Sequence, residues 1–184
     1  MLIAKLKQPF FRSLFCSLFI GIALVSASLL WAKSPSEKKL DCQLWPETLK
    51  NMTVGQAIFL SSSGKQVAID FRLADTSERQ RHGFQNVCSE TIVKTSILFQ
   101  FSSPVIPSFH MNNVVAPLDI AFIDEMGQIT DIHLMETYRL LDLKKPTYSP
   151  SKPVRYAFEA RAGYFAEHDI KVGDQVLISS IKSN

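Results

Sequence analysis

Residues Ser108 to Asp124 read S-F-H-M-N-N-V-V-A-P-L-D-I-A-F-I-D, and no other stretch of the chain restricts its fold as much. A polar knot, His110-Met111-Asn112-Asn113, is set between two strongly strand-forming segments. Burying polar groups is costly unless they are paired, so such a knot marks either a site or a hydrogen-bond hub. If Phe109 to Asn113 is extended, alternation puts His110 and Asn112 on one face and Phe109, Met111 and Asn113 on the other. By the same rule Asp119, Ala121 and Ile123 share a face, opposite Leu118, Ile120 and Phe122.

The remaining pattern is of short strands punctuated by turns. Gln56 to Leu60 is apolar enough for a strand, and Ser61-Ser62-Ser63-Gly64 is a turn. Val67, Ile69, Phe71 and Leu73 alternate with Ala68, Asp70 and Arg72, the signature of a half-buried strand. Asp75-Thr76-Ser77-Glu78 predicts a capping box, with Asp75 accepting from first-turn amides and Glu78 reaching back, and Gly83 closes the short helix. Ile97 to Phe101 is a further strand that ends at Ser102-Ser103-Pro104. Leu118 to Ile123 and Ile129 to Leu134 flank a hairpin turn at Asp124-Glu125-Met126-Gly127. The Pro-rich run Tyr138 to Pro153 predicts a long surface loop. Val154 to Ala160 is a strand, Gly163 precedes a short helical turn at Tyr164 to Glu167, and Lys171-Val172-Gly173-Asp174 is a tight turn into a last strand, Val176 to Ile181. Such an order predicts a mostly β domain: a compact antiparallel barrel or sandwich with one or two short helices.

The start of the chain carries an address. Lys5, Lys7 and Arg12 form a basic front, and no charged residue follows until Lys33. The intervening stretch is rich in Phe, Leu and Ile, then turns to small residues, in the order of a secretory signal. Cleavage fits after Ala27 or after Ala32. Ala32 is preferred, because it keeps Leu29, Leu30 and Trp31 within the apolar part. The alternative is an uncleaved anchor, since residues 13–32 hold twenty uncharged positions, enough to cross a bilayer. The predicted organisation is therefore a signal over 1–32, a lead-in and arm over 33–54, and one β domain over 55–184. The location expected is the periplasm, or an inner-membrane anchorage facing it.

Removal of the signal changes two counts. The segment takes with it three of the 20 Lys and Arg and none of the 17 Asp and Glu, so the mature chain is formally neutral. That argues against nucleic acid as a partner. Three cysteines become two, Cys42 and Cys88. An even pair in an oxidising compartment predicts a disulfide between them.

Five groups of residues resemble, in order, a family called domain of unknown function 192. Asp75-Thr76-Ser77-Glu78-Arg79 with Gly83 is similar to its helix, an acidic-polar start followed by E-R and then G-L-M. Ile97-Leu98-Phe99 resembles its G-M-L-F strand. Phe109 to Asn113 and Pro117-Leu118-Asp119-Ile120 resemble its F-W-M-K-N and P-L-D-I core. Phe158-Glu159-Ala160 with Gly163 resembles its L-E-L-x-A-G, and Val172-Gly173-Asp174 its closing V-G-D. The resemblance spans about Ala57 to Ile181. It implies a compact, mostly β domain and supplies no agreed catalytic residues. Phe84-Gln85 stand where the family commonly has Leu-Met, His110 where it has Trp, and Asn112 where it has Lys.

The candidate ligand-binding residues are His110, Asn112, Asn113, Asp119 and Glu159. His110 with Asp119 has the makings of a base and its orienter. Short polar side chains beside turns also bond backbone, which is the plainer role for Asn113 and Asp119. Glu159 interrupts an apolar strand and must face solvent, line a pocket, or pair with Arg79, Arg155 or Arg161. Structural roles fall to Asp75, Glu78, Gly83, Gly163, Gly173 and Asp174. No nucleophile elbow is present, and His82, His110, His133 and His168 show no metal-ligand spacing, so neither a metal nor another cofactor is expected. The function expected is a non-catalytic ligand- or partner-binding domain of the cell envelope, its partner a small molecule or an envelope protein. Two alternatives stand beside it: a hydrolase using His110 with Asp119 or Glu159, and a structural accessory of a membrane complex.

Overall fold

The computed structural model describes residues 41–138 and 142–179. The predicted signal or anchor lies outside the described residues, as does the end of the last predicted strand. Among the described residues no helix is long and apolar enough to cross a membrane.

The elements follow one another as α1 (Glu47–Lys50), β1 (Val54–Leu60), β2 (Gln66–Ala74), α2 (Ser77–His82), α3 (Ser89–Ile92), β3 (Ile97–Val105), β4 (Phe109–His110), β5 (Leu118–Ile123), β6 (Ile129–Met135), β7 (Thr147–Tyr148), β8 (Val154–Arg161), α4 (Tyr164–Glu167) and β9 (Gln175–Ser179). Seven strands make one sheet in the order β6-β5-β8-β3-β2-β1-β9, and β4 pairs with β7 in a separate ribbon. The protein is mostly β, as the strand pattern predicts. The antiparallel expectation needs correction at one place. β2 and β3 run parallel, with Leu73 opposite Leu98, because the chain between them is a crossover carrying α2 and α3 rather than a hairpin.

The barrel is not closed. Among the described residues, edge strands β6 and β9 approach where the β5–β6 turn touches the start of β9, through a bridge between Gln128 and Gln175. Gly173 N–H donates to the Ile129 carbonyl at 2.8 Å and Val176 N–H to Gly127 at 2.7 Å. The architecture is therefore sandwich-like.

Two apolar layers lie on the two faces of this sheet. One gathers Phe59, Phe71, Leu98, Ala121, Phe158, Ala160 and Phe165. The other gathers Ile97, Phe99, Ile120, Phe122 and Ala157 beneath Phe84, Val87, Ile92, Met111 and Val114. The second layer is roofed by the crossover and by the segment between β4 and β5. β5 is buried at all six positions, which explains why its sequence shows no polar-out alternation beyond Asp119.

Several local expectations shift. The N-cap of α2 is Thr76, whose hydroxyl accepts from Arg79 N–H at 3.3 Å; Asp75 instead accepts from Arg79 Nη1 at 2.7 Å. Glu78 lies in the first turn of α2, and the reciprocal box is replaced by this cap and ion pair. β3 continues through Ser102-Ser103-Pro104 to Val105, where pairing with β8 is irregular. The predicted Tyr138–Pro153 loop contains the short strand β7. Among the described residues four short helices form rather than one or two, with α1 and α3 added. Cys42 and Cys88 are bonded, with their Cα atoms 4.9 Å apart.

Candidate functional site

A cleft of about 490 Å³ opens where the end of α2, the β3 surface and β4 meet. Its floor includes Phe99 and Glu159; its walls include Phe84, Phe101, Phe109 and Val114; Arg81, His82, His110 and Asn112 reach it from the rim. Gln80 fixes the helix against the sheet, donating from Nε2 to the carbonyl of Gln100 at 2.8 Å. Gly83 then turns the chain over the floor with φ 46° and ψ −128°, a conformation open essentially to glycine alone.

Glu159 is the chemical centre of this cleft. It pairs across the sheet with Ile97 on one side and Ile120 on the other, so its side chain emerges on the same face as those two apolar residues. It is 6% exposed, and Oε2 is buried with no hydrogen-bond partner among the described residues. None of the arginine pairings open to it from sequence forms: Arg79 bonds Asp75, Arg161 bonds Glu167, and Arg155 makes no ion pair with it among the described residues. Burial without compensation pushes the Glu159 carboxyl up to about 8. At neutral pH it is a protonated acid, able to donate a hydrogen bond or to release its proton to a suitable partner.

His110 and Asn112 reach the same cleft although only Phe109–His110 is strand. His110 is exposed, and its Nδ1 accepts from the Asn112 backbone N–H at 3.4 Å. Asn112 Oδ1 accepts from the Tyr138 hydroxyl at 2.7 Å, and this fixes the amide. Burial leads the causes that raise the Tyr138 phenol above its ordinary range.

Asn113 and Asp119 lie elsewhere. Asn113 adopts φ 55°, is exposed, and offers its carbonyl to Asn86 N–H at 2.8 Å, a turn role suited to asparagine. Asp119 sits opposite Ala160 and thus on the other face of the sheet from Glu159. It is 7% exposed, and its Oδ2 accepts from Phe165 N–H at 3.3 Å, within the first turn of α4. A base–orienter pair of His110 with Asp119 is therefore not formed: the two residues serve opposite faces.

The structural residues keep to turns. Gly163 and Gly173 hold φ 79° and 95° beside α4 and β9. Asp174, 3% exposed, accepts from Ser62 N–H at 2.9 Å and Lys171 N–H at 2.8 Å, closing its own turn and tying it to the β1–β2 turn. Among the described residues no three of His, Cys, Asp and Glu are grouped to hold a metal ion.

The rim residues Arg81 and His82 escape a sequence search because a lone helix of six residues gives no periodic face to read. One signal does point to them. The positions that depart from the domain of unknown function 192 pattern, Phe84, Gln85, His110 and Asn112, all line the cleft.

This site lies in a domain with a defined family. Residues 58–178 match the family DUF192, described as "Uncharacterized ACR", and the chain belongs to it. Two solved structures share the fold. A protein of Sinorhizobium meliloti 1021, described as a candidate transcription regulator, is 21% identical with a TM-score of 0.62, covering 69% of this chain and 95% of that one. A protein of unknown function from Novosphingobium aromaticivorans DSM 12444 is 25% identical with a TM-score of 0.60, covering 67% of this chain and 84% of that one. No functionally curated protein matches the chain.

Proposed function

We propose that the protein is a non-catalytic ligand-binding domain acting outside the cytoplasm, and that its binding site is the cleft over Glu159. The observation that carries this reading is the buried, unpartnered Glu159 carboxyl on the floor of an open cleft. A fold that needs only stability replaces such a group or gives it a partner. Polar groups converging beside a set of phenyl rings, in a cleft of this size, suit a small-molecule site. Divergence from the family pattern, concentrated in the cleft lining, supports a ligand peculiar to this chain.

Export rests on the basic front and apolar run of residues 1–32 and is supported by the Cys42–Cys88 bond, since disulfides persist in oxidising compartments. N-terminal sequencing of protein recovered from the periplasm would find Lys33 or Ser28 at the mature end; an intact start would make the segment an anchor instead.

The binding reading is tested by an equilibrium screen of sugars, peptides, amines and envelope fragments against the purified domain. A ligand whose affinity shifts with His110→Ala and falls with Glu159→Gln is the expected outcome. Absence of any ligand across the screen would reject the reading.

A further inference from the structure

We infer, resting on the binding reading above, that the cleft takes an organic cation, with a primary or quaternary ammonium group seated on Glu159 between phenyl rings. Four rings, Phe84, Phe99, Phe101 and Phe109, line the cleft around the carboxyl. Phe99 and Phe109 meet edge to face with centroids 4.9 Å apart, so the ring set is packed before a ligand arrives. Phenyl faces attract a desolvated cation, and quaternary ammonium groups use such cages.

The carboxylate supplies what the rings lack. Removing an ionised carboxylate from water is costly unless an opposite charge accompanies it. The fold gives Glu159 Oε2 no partner among the described residues: Arg79 and Arg161 are committed to other carboxylates, and Arg81 faces the cleft from its exposed rim without an ion pair to Glu159. A ligand cation supplies that opposite charge; a neutral ligand leaves the charge problem unsolved and can use only the protonated acid.

The charged and titratable groups facing the cleft are Arg81 and His82 from α2 and His110 from β4. All three are exposed, so their opposition to a cation is screened by salt at the mouth. β3 contributes only apolar lining, Phe99 and Phe101, and β8 contributes Glu159 itself. Because Glu159 holds its proton up to about pH 8, an arriving cation must displace that proton. Affinity for a permanently charged cation therefore rises with pH and levels off above that value.

The test compares choline with its uncharged carbon isostere, 3,3-dimethylbutan-1-ol, by calorimetry at pH 6, 7, 8 and 9. Choline should bind at least tenfold tighter than the isostere at pH 9, and its affinity should fall by up to about tenfold per pH unit below pH 8. Glu159→Gln should abolish both the preference and the slope. A His82→Asn/His110→Asn double variant should keep the slope. Equal binding of the two probes, no choline binding, or a slope that vanishes with the histidines would overturn the inference. If a neutral sugar or peptide binds the cleft while choline does not, the cation inference fails and the binding reading stands.

Discussion

Gly83 lies directly over the Glu159 carboxyl: a Cβ placed on it would stand 3.8 Å from Glu159 Oε2 and 3.5 Å from Phe99 Cζ. The helix end that gives α2 its stop is thus also the lip of the cleft. Gly83→Ala forces an L side chain into φ 46°, at a cost of about 1–3 kcal/mol. The added methyl makes ordinary contact with its neighbours, so the loss should appear in denaturant stability with little change in ligand affinity. Gly83→Leu should in addition cover Glu159 and reduce binding at least tenfold. Equal binding by the leucine variant and the parent would show that ligands do not approach from this side.

Glu159 makes stability depend on pH in the direction opposite to a salt-bridged carboxylate. In the unfolded chain a glutamate ionises above about pH 4.3. The folded protein keeps this one protonated to about 8. Between those values the folded state binds one more proton than the unfolded state, so stability falls as pH rises and the loss is complete above pH 8. The full effect is on the order of a few kcal/mol. Glu159→Gln removes the slope: urea denaturation at pH 5 and pH 8 should show the variant close to wild type at the lower pH and more stable at the higher. A wild-type slope that survives the substitution would assign the effect to other carboxyls.

Asp119 and Asp174 are buried carboxylates whose partners are backbone amides, and each should behave as a structural residue. Asp174 accepts two such bonds from different segments, so Asp174→Ala should cost roughly 3 kcal/mol. Asp119→Ala removes one acceptor in the first turn of α4 and should cost about 1 kcal/mol. Neither should alter the affinity of a cleft ligand beyond twofold when measured well below the unfolding midpoint. A large binding loss in Asp119→Ala would revive a functional link between the two faces of the sheet.

Much of this was legible before the structure, and the failures have a common cause. β5 and the β5–β6 hairpin could be read because a dense apolar run and a D-E-M-G turn are local signals. The Cys42–Cys88 bond followed from counting. The parallel pairing of β2 with β3 was not readable, since nothing within either strand states the direction of its neighbour. The same holds for the site. Alternation placed Asp119 and Ile120 on opposite sides of β5, but only the pairing of Ile120 with Glu159 shows that Asp119 and Glu159 face apart. His82 and Arg81 join the cleft through the way α2 lies on the sheet, a tertiary fact with no periodic trace in six residues.

The disulfide reaches the cleft through backbone bonds, and this links redox state to binding. Gln43 N–H donates to the Asn86 carbonyl at 2.8 Å, Cys88 N–H returns to the Gln43 carbonyl at 3.0 Å, and Asn86 N–H donates to Asn113 at 2.8 Å. Fastening Cys42 to Cys88 therefore holds the strip that carries Phe84 and Gln85 on one side and Asn112 on the other. The bond closes a span of 46 residues, for which chain entropy assigns about 4 kcal/mol. A Cys42→Ala/Cys88→Ala variant should lose stability of that order by chemical denaturation. Because the strip lines the wall and rim and not the floor, its loosening should weaken a Glu159-bound ligand by less than Glu159→Gln does. Mass mapping without reductant should find the bridged peptide pair in the native chain; two free thiols there would remove the bond and this prediction with it.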